Sequence, residues 1–305
     1  MSTAELITLI AKLSALTFVV ASMLAMGLSL TAGEILAPLR NMRLVVVALV
    51  ANFILVPALA YGLGQLFGLA QSLENGLILL GAAGGAPFLP KLVQGARQDI
   101  AFGVGLMVML MVVTIVYLPL VLPLLLPGVS VKPGEIAKSL VVLMLIPLAL
   151  GLLWRSHWTD DAAQWQPVFA KLSSIAILVM LVVGVGLNVS NIISLIGTRG
   201  IAALLVLVLG AIAIGLVLGG TERNVLGLGT GLRNFSAAIL VAAQNFSGSN
   251  TLSFVLVGAV IFLLVLIPAS RLMGRRSAAG ERAPLHTALD QSMGPSSTSA
   301  GAANA

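Results

Sequence analysis

Residues 81–91 read Gly-Ala-Ala-Gly-Gly-Ala-Pro-Phe-Leu-Pro-Lys and lie in the middle of an apolar run. Glycine loosens the backbone and proline removes a helical donor, so this composition predicts a helix that unwinds partway along. What surrounds it decides the fold. No Asp, Glu, Lys or Arg occurs from Leu44 to Leu73 or from Ile100 to Val131, and the stretches Leu13 to Gly33 and Leu172 to Thr198 are equally free of charge. Each run exceeds the roughly 20 apolar residues that cross a bilayer core. Of the 305 residues, 59% are hydrophobic and 9% charged, against about 25% charged in an ordinary soluble domain. So few charges cannot cover a surface that faces water. Helices and closed barrels alone satisfy their backbone in lipid. Alternation of period two is missing from the sequence, which leaves an all-α membrane bundle.

Nine transmembrane helices fit the chain, at about 11–31, 44–67, 72–96, 100–127, 136–156, 168–190, 199–220, 222–246 and 250–273. The segment before Leu13 lacks the basic start of a secretory signal, so the first run reads as a retained span. With the N-terminus outside, the inner loops collect Arg40, Arg43, Arg97, Arg155, Lys171, Arg223, Arg271, Arg275, Arg276 and Arg282. The outer side then holds Lys12, Lys132, Lys138 and Arg199. That asymmetry obeys the positive-inside rule and predicts a cytoplasmic C-terminus in a bacterial inner (plasma) membrane. Trp154 and Trp158 suit an interfacial aromatic belt. Residues 1–276 form the expected bundle. Residues 277–305, rich in Ser, Ala, Gly and Pro, read as a disordered cytoplasmic tail.

A second interruption stands in the eighth expected span, where residues 227–234 read Gly-Leu-Gly-Thr-Gly-Leu-Arg-Asn. Unwound backbone at membrane depth is tolerated only where protein or a water-filled cavity receives it. One such segment in each half points to a transporter built from inverted repeats, with its site at the midplane. Glycine-rich packing faces are the bland alternative. Lys91 and Arg233 are the two charges that fall inside spans and away from their ends, and no acidic residue does so. A cation at a helix centre costs about 2.5–3.5 kcal/mol on insertion scales. An organic anion from outside would neutralise the pair; otherwise each side chain snorkels to an interface.

Other classes find little support. Cysteine is absent, which removes disulfides, thiolate metal sites and cysteine nucleophiles. His157 and His286 fall in a loop and in the tail, and no carboxylate sits deep in a span. An enzyme would need such groups, so neither catalysis nor a cofactor is expected. The net charge of +6 reflects placement across a membrane, with no nucleic-acid partner implied.

The sequence resembles the bile acid:sodium symporter family over roughly residues 20–270. The resemblance is carried by Met26-Gly27-Leu28-Ser29-Leu30, by Ala51-Asn52-Phe53 with Pro57, by Gly84-Gly85, by Gly95-Ala96-Arg97-Gln98-Asp99, and by Gly231-Leu232-Arg233-Asn234. It implies a core domain packed on a panel domain, with two broken helices crossing at the core's centre. It also implies transport of organic anions such as bile acids, steroid sulfates, pantoate or small keto acids, coupled to sodium. The departures matter as much. Leu89 and Pro90 stand where the family has a Ser-Asn pair, Gly103 and Met107 where it has hydroxyl ligands, and Gly229 where it has a glutamate shared by both sodium sites. Arg233 replaces a glutamine, and Asn52 stands for another. Hard cations need several oxygen ligands, so no metal is expected here.

The reading that results is a secondary transporter of organic anions by alternating access, independent of sodium, in which Lys91 and Arg233 replace the two sodium ions. Lys91, Arg233, Asn234, Asn52 and Thr230 are the expected substrate-binding residues. Gly84, Gly85, Pro87, Pro90, Gly229 and Gly231 are the expected backbone of the breaks. A proton- or sodium-coupled symporter, an anion channel, and a substrate-free sensor or scaffold that retains the transporter fold stand as alternatives. The expected partners are a small organic anion and membrane lipid; oligomeric state is open.

Overall fold

A computed structural model describes residues 3–31, 33, 41–126, 133–187, 198–246 and 250–292. The helices, in chain order, are α1 (Thr3–Ser29), α2 (Met42–Leu66), α3 (Gln71–Ala82), α4 (Leu89–Gly95), α5 (Ile100–Leu125) and α6 (Pro133–His157). They continue as α7 (Thr159–Leu187), α8 (Arg199–Leu218), α9 (Arg223–Gly231), α10 (Phe235–Asn245) and α11 (Thr251–Ser292). No strand occurs among the described residues. Six helical stretches are long and apolar enough to cross a membrane: α2, α5, α6, α8, Gly220–Asn245 and Thr251–Arg275. Of the three further expected spans, the first holds a shorter apolar helix, Leu13–Ser29. The third is divided between α3 and α4, and the sixth corresponds to α7, whose expected end at 190 lies outside the described residues.

α11 runs on to Ser292, because Ala278, Ala279, Glu281, Arg282 and Leu285 are good helix formers and continue the preceding turn. Residues 293–305, Arg40 and Lys132 lie outside the described residues.

Two helices carry a wide turn for the same reason. In α2 the turn spans Ala51–Leu55 and is followed by Pro57; in α6 it spans Val141–Leu145 and is followed by Pro147. Proline has no N–H to give and crowds the carbonyl four residues back, so the helix widens there. In α2 that carbonyl belongs to Phe53, and the Tyr117 hydroxyl of α5 donates to it at 2.6 Å.

Packing sorts the helices into two groups. α1, α6 and α7 pack chiefly on one another. α1 and α6 meet backbone to backbone, since a side chain at Gly27 would stand 2.9 Å from the Gly151 Cα, and one at Gly151 would stand 2.7 Å from the Leu24 carbonyl oxygen. The other helices gather around the two breaks, with α3, α4, α8, α9 and α10 all against α11. The most apolar window of Gly220–Asn245 is 100% buried, whereas the other five spans leave more than half of theirs uncovered, at 33–44% buried. Protein therefore encloses the second break, as unwound backbone in lipid requires.

Candidate functional site

The first break follows from its composition. α3 stops at Ala82, residues 83–86 are irregular, and Ala86–Leu89 form a turn with Pro87 in its second position and a 3.1 Å bond from Leu89 N–H to the Ala86 carbonyl. Proline is preset for that position. Pro90 then lies in the first turn of α4, where a missing N–H costs nothing. Gly85 has φ +73°, and a Cβ there would overlap the Met111 backbone nitrogen and stand 2.8 Å from the Met107 carbonyl oxygen. Only glycine lets the break lie flat on α5. Thr114 of α5 donates to the Gly84 carbonyl at 2.8 Å.

The second break is an inverse γ-turn. Asn234 has φ −78° and ψ 83°, and the Phe235 N–H bonds the Arg233 carbonyl at 3.0 Å, which is the geometry of that turn. The Asn234 side chain caps α10 by accepting from Ala237 N–H at 3.1 Å. Its own N–H donates to the Ala83 carbonyl at 2.8 Å. The two breaks are thus joined directly by a backbone hydrogen bond.

Arg233 sits at this junction with no exposed surface. Its guanidinium donates to Asn52 Oδ1 at 2.6 Å, to the Gly81 carbonyl at 3.2 Å and to the Thr230 carbonyl. Gly81 lies in the last turn of α3 and Thr230 in the last turn of α9. Final-turn carbonyls have no helical partner, and the helix dipole leaves partial negative charge there. Asn52 comes from the wide turn of α2, and its Nδ2 donates to the Ala48 carbonyl at 2.9 Å and to Thr230 Oγ1 at 3.3 Å. A guanidinium can only donate, so the Asn52 oxygen must face it, and the amide orientation is settled by chemistry.

Of the expected substrate-binding residues, the structure brings together Asn52, Thr230 and Arg233, with Asn234 next along the chain and Gly84 beside Asn52. All four side chains are fully buried. Lys91 stands apart. It is exposed on α4, with its Nζ 5.8 Å from the centre of the Phe88 ring. Arg233 Nε and Asn234 Nδ2 are buried without a hydrogen-bond partner among the described residues. An organic anion from outside, or snorkelling, is the resolution expected for Arg233; in the structure neutral protein oxygens accept from both of its terminal nitrogens.

The positions at which the resemblance implies sodium ligands are packed against hydrocarbon. A side chain at Gly229 would stand 2.9 Å from Leu106 Cδ2 and 3.3 Å from Leu89 Cδ2, and one at Gly103 would stand 2.9 Å from a Val93 methyl. Met107, Leu89 and Leu106 are each 1% exposed. Gly231 likewise packs on Ile212 and Leu266. No group of three or more His, Asp or Glu side chains that could hold a metal ion occurs among the described residues.

Three partners escaped sequence reading: the Gly81 carbonyl, Thr114 and Tyr117. The two side chains did leave a signal. They are the only hydroxyl-bearing residues of Ile100–Leu125, and three positions apart on a helix they share a face.

The profile of the Sodium Bile acid symporter family matches residues 16–195. The match includes the first break and Asn52, and it ends before the second break. No curated protein matches the chain. Because the profile covers more than half of the chain, this integral membrane protein belongs to the sodium bile acid symporter family, whose members are transporters.

Proposed function

We propose that the protein carries organic anions by alternating access without sodium, the Arg233 guanidinium standing permanently where relatives hold an ion. One observation carries the reading. A buried cation is held by Asn52 and by carbonyls from the ends of both α3 and α9. Half-helix C-terminal ends and unwound carbonyls are the groups that coordinate alkali ions in carriers with discontinuous helices. Here a covalently attached cation has taken them. Gly229, Leu89, Gly103 and Met107 offer no side-chain oxygen in exchange, and leucine methyl groups occupy the space beside Gly229. A hard ion has too few ligands left.

The anion's own contacts then fall to what Arg233 leaves over. Lys91, exposed two residues after the break ends, supplies an open point charge in place of the second ion. Arg233 Nε and Asn234 Nδ2 are donors still without an acceptor, and a carboxylate or sulfate oxygen would satisfy them once the site opens. The finer architecture belongs to the same reading: nine spans, inverted repeats, N-terminus outside and C-terminus inside a bacterial plasma membrane. The distribution of basic residues among the loops supports that orientation.

Thermal unfolding of the purified protein in detergent tests it. Bile acids, steroid sulfates, pantoate and small keto acids are screened for stabilisation in sodium and again in potassium. The shift produced by the stabilising anion should be the same in both salts, and Lys91→Gln should weaken it. Stabilisation that needs sodium would overturn the proposal. Uptake into vesicles that follows a proton gradient would instead favour proton-coupled symport.

A further inference from the structure

We propose that Arg97, Arg271 and Arg275 form a binding site for the phosphate of an anionic phospholipid where the end of α4 packs on α11. The first observation is backbone strain. α4 closes with Arg97 N–H on the Gln94 carbonyl at 3.0 Å and Gln98 N–H on the Val93 carbonyl at 3.1 Å, and Arg97 takes φ +54°. α2 closes with the same pair of bonds, Gly68 N–H to Gln65 at 3.1 Å and Leu69 N–H to Gly64 at 3.0 Å, around Gly68 at φ +58°. Glycine is the ordinary residue for that position because it adopts the left-handed region freely. Arg97 is the one non-glycine residue with positive φ among the described residues. Strain kept at such a position points to a use for the side chain.

The second observation is what lies beside it. A side chain at Gly274 of α11 would stand 2.5 Å from the Gly95 carbonyl oxygen and 3.3 Å from Ala96 Cα, so the two backbones touch. Arg275 follows Gly274, and Arg271 precedes it by almost one turn. Ser270 and Gly274 are the residues of α11 that meet this turn, so Arg271 and Arg275, one position on from each, share one side of that contact, and all three arginines are exposed. The nearest acid, Asp99, turns one oxygen onto the N–H groups of Ala101 and Phe102 at 2.9 and 3.2 Å. The cluster therefore keeps a net positive charge.

Depth selects the ligand. The apolar sequence of α11 closes on Arg271, Arg275 and Arg276, and Ile100, three residues past Arg97, begins the apolar stretch Ile100–Leu125. Two spans thus reach their polar boundary at one contact, which is the level of lipid headgroups. Guanidinium forks match phosphate oxygens, and basic clusters between helices at this level attract anionic lipids. The site is open to its surroundings, as a lipid headgroup requires.

Native mass spectrometry of the full chain, with phosphatidylglycerol or phosphatidylcholine added to the detergent, tests the inference. The wild type should retain phosphatidylglycerol in preference. Arg97→Gly relieves the turn while removing the charge, so it should fold at least as well and yet retain about fivefold less phosphatidylglycerol. Arg275→Gln should act in the same direction. Arg43→Gln removes an exposed charge at the start of α2 and should leave retention unchanged. Equal retention of the two lipids, or full retention by Arg97→Gly, overturns the site. So does a loss in Arg43→Gln as large as in Arg97→Gly, which would mean diffuse attraction only. Displacement of the lipid by inorganic phosphate at equal concentration would assign the cluster to a free anion.

Discussion

A guanidinium enclosed within a membrane bundle costs about 2.5–3.5 kcal/mol on insertion scales. Each helix C-terminus carries about half a negative charge, and half a charge about 4 Å away at an effective dielectric near 20 attracts it by about 2 kcal/mol. α3 and α9 both end on Arg233, so together they offset the cost without any carboxylate. Removing the side chain strands the Gly81 and Thr230 carbonyls and Asn52 Oδ1, each at about 1–3 kcal/mol. Arg233→Ala should therefore lower the unfolding temperature by several degrees. Millimolar guanidinium should restore part of the loss, and potassium should not; a variant indifferent to added guanidinium would count against the fixed-cation role. Thr114→Val keeps the shape but leaves the Gly84 carbonyl buried and unpaired. It should cost about 1–3 kcal/mol in the same assay, whereas Ser at this position should be nearly neutral.

At the level of elements, both breaks were legible because glycine and proline act locally. Residues 83–88 and 232–234 are non-helical in the two stretches whose composition predicted unwinding. What composition could not show is that the breaks share a backbone hydrogen bond, Asn234 N–H to Ala83. That contact joins residues about 150 positions apart and depends on how α3 and α10 pack. Gly85 is the tightest constraint in the first break, since it combines φ +73° with backbone contact to α5. Gly85→Ala should be among the most damaging single-methyl changes, at about 3 kcal/mol or more, read as lost expression of folded protein in detergent. Gly68→Ala has a similar φ but open space around it, and it should cost only about 1 kcal/mol. Comparison of the two separates crowding from backbone strain.

For the whole molecule, sodium coupling is a question about volume as well as ligands. Placing a carboxylate at Gly229, as the resemblance implies for relatives, would drive it into Leu106 and Leu89. Gly229→Glu alone should therefore unfold or inactivate the protein. Combined with Leu89→Ser, Leu106→Ala and Arg233→Gln, the same change should make thermal stability rise with sodium over potassium. If the fourfold variant folds and ignores sodium, the resemblance places that site wrongly. The packing also separates Arg233, enclosed and bonded by protein, from Lys91, exposed on α4. The sequence already hints at the difference, since Lys91 lies six residues from Arg97 and can reach an interface, whereas Arg233 is ten residues from its nearest charge, Arg223.

Charge-free runs and their lengths were enough to determine a helical membrane protein, since the cost of charge in lipid acts on every residue regardless of neighbours. Order and spacing of short motifs were enough for the family. Tertiary structure alone decided that Arg233 meets Asn52, Gly81 and Thr230, that Thr114 and Tyr117 brace the backbone around them, and that leucines fill the space beside Gly229. Those facts depend on helix crossings and on single hydrogen-bond distances. The physical reason is range: hydropathy and backbone propensity are properties of a segment, whereas neutralising a buried charge requires partners from segments far apart in the chain.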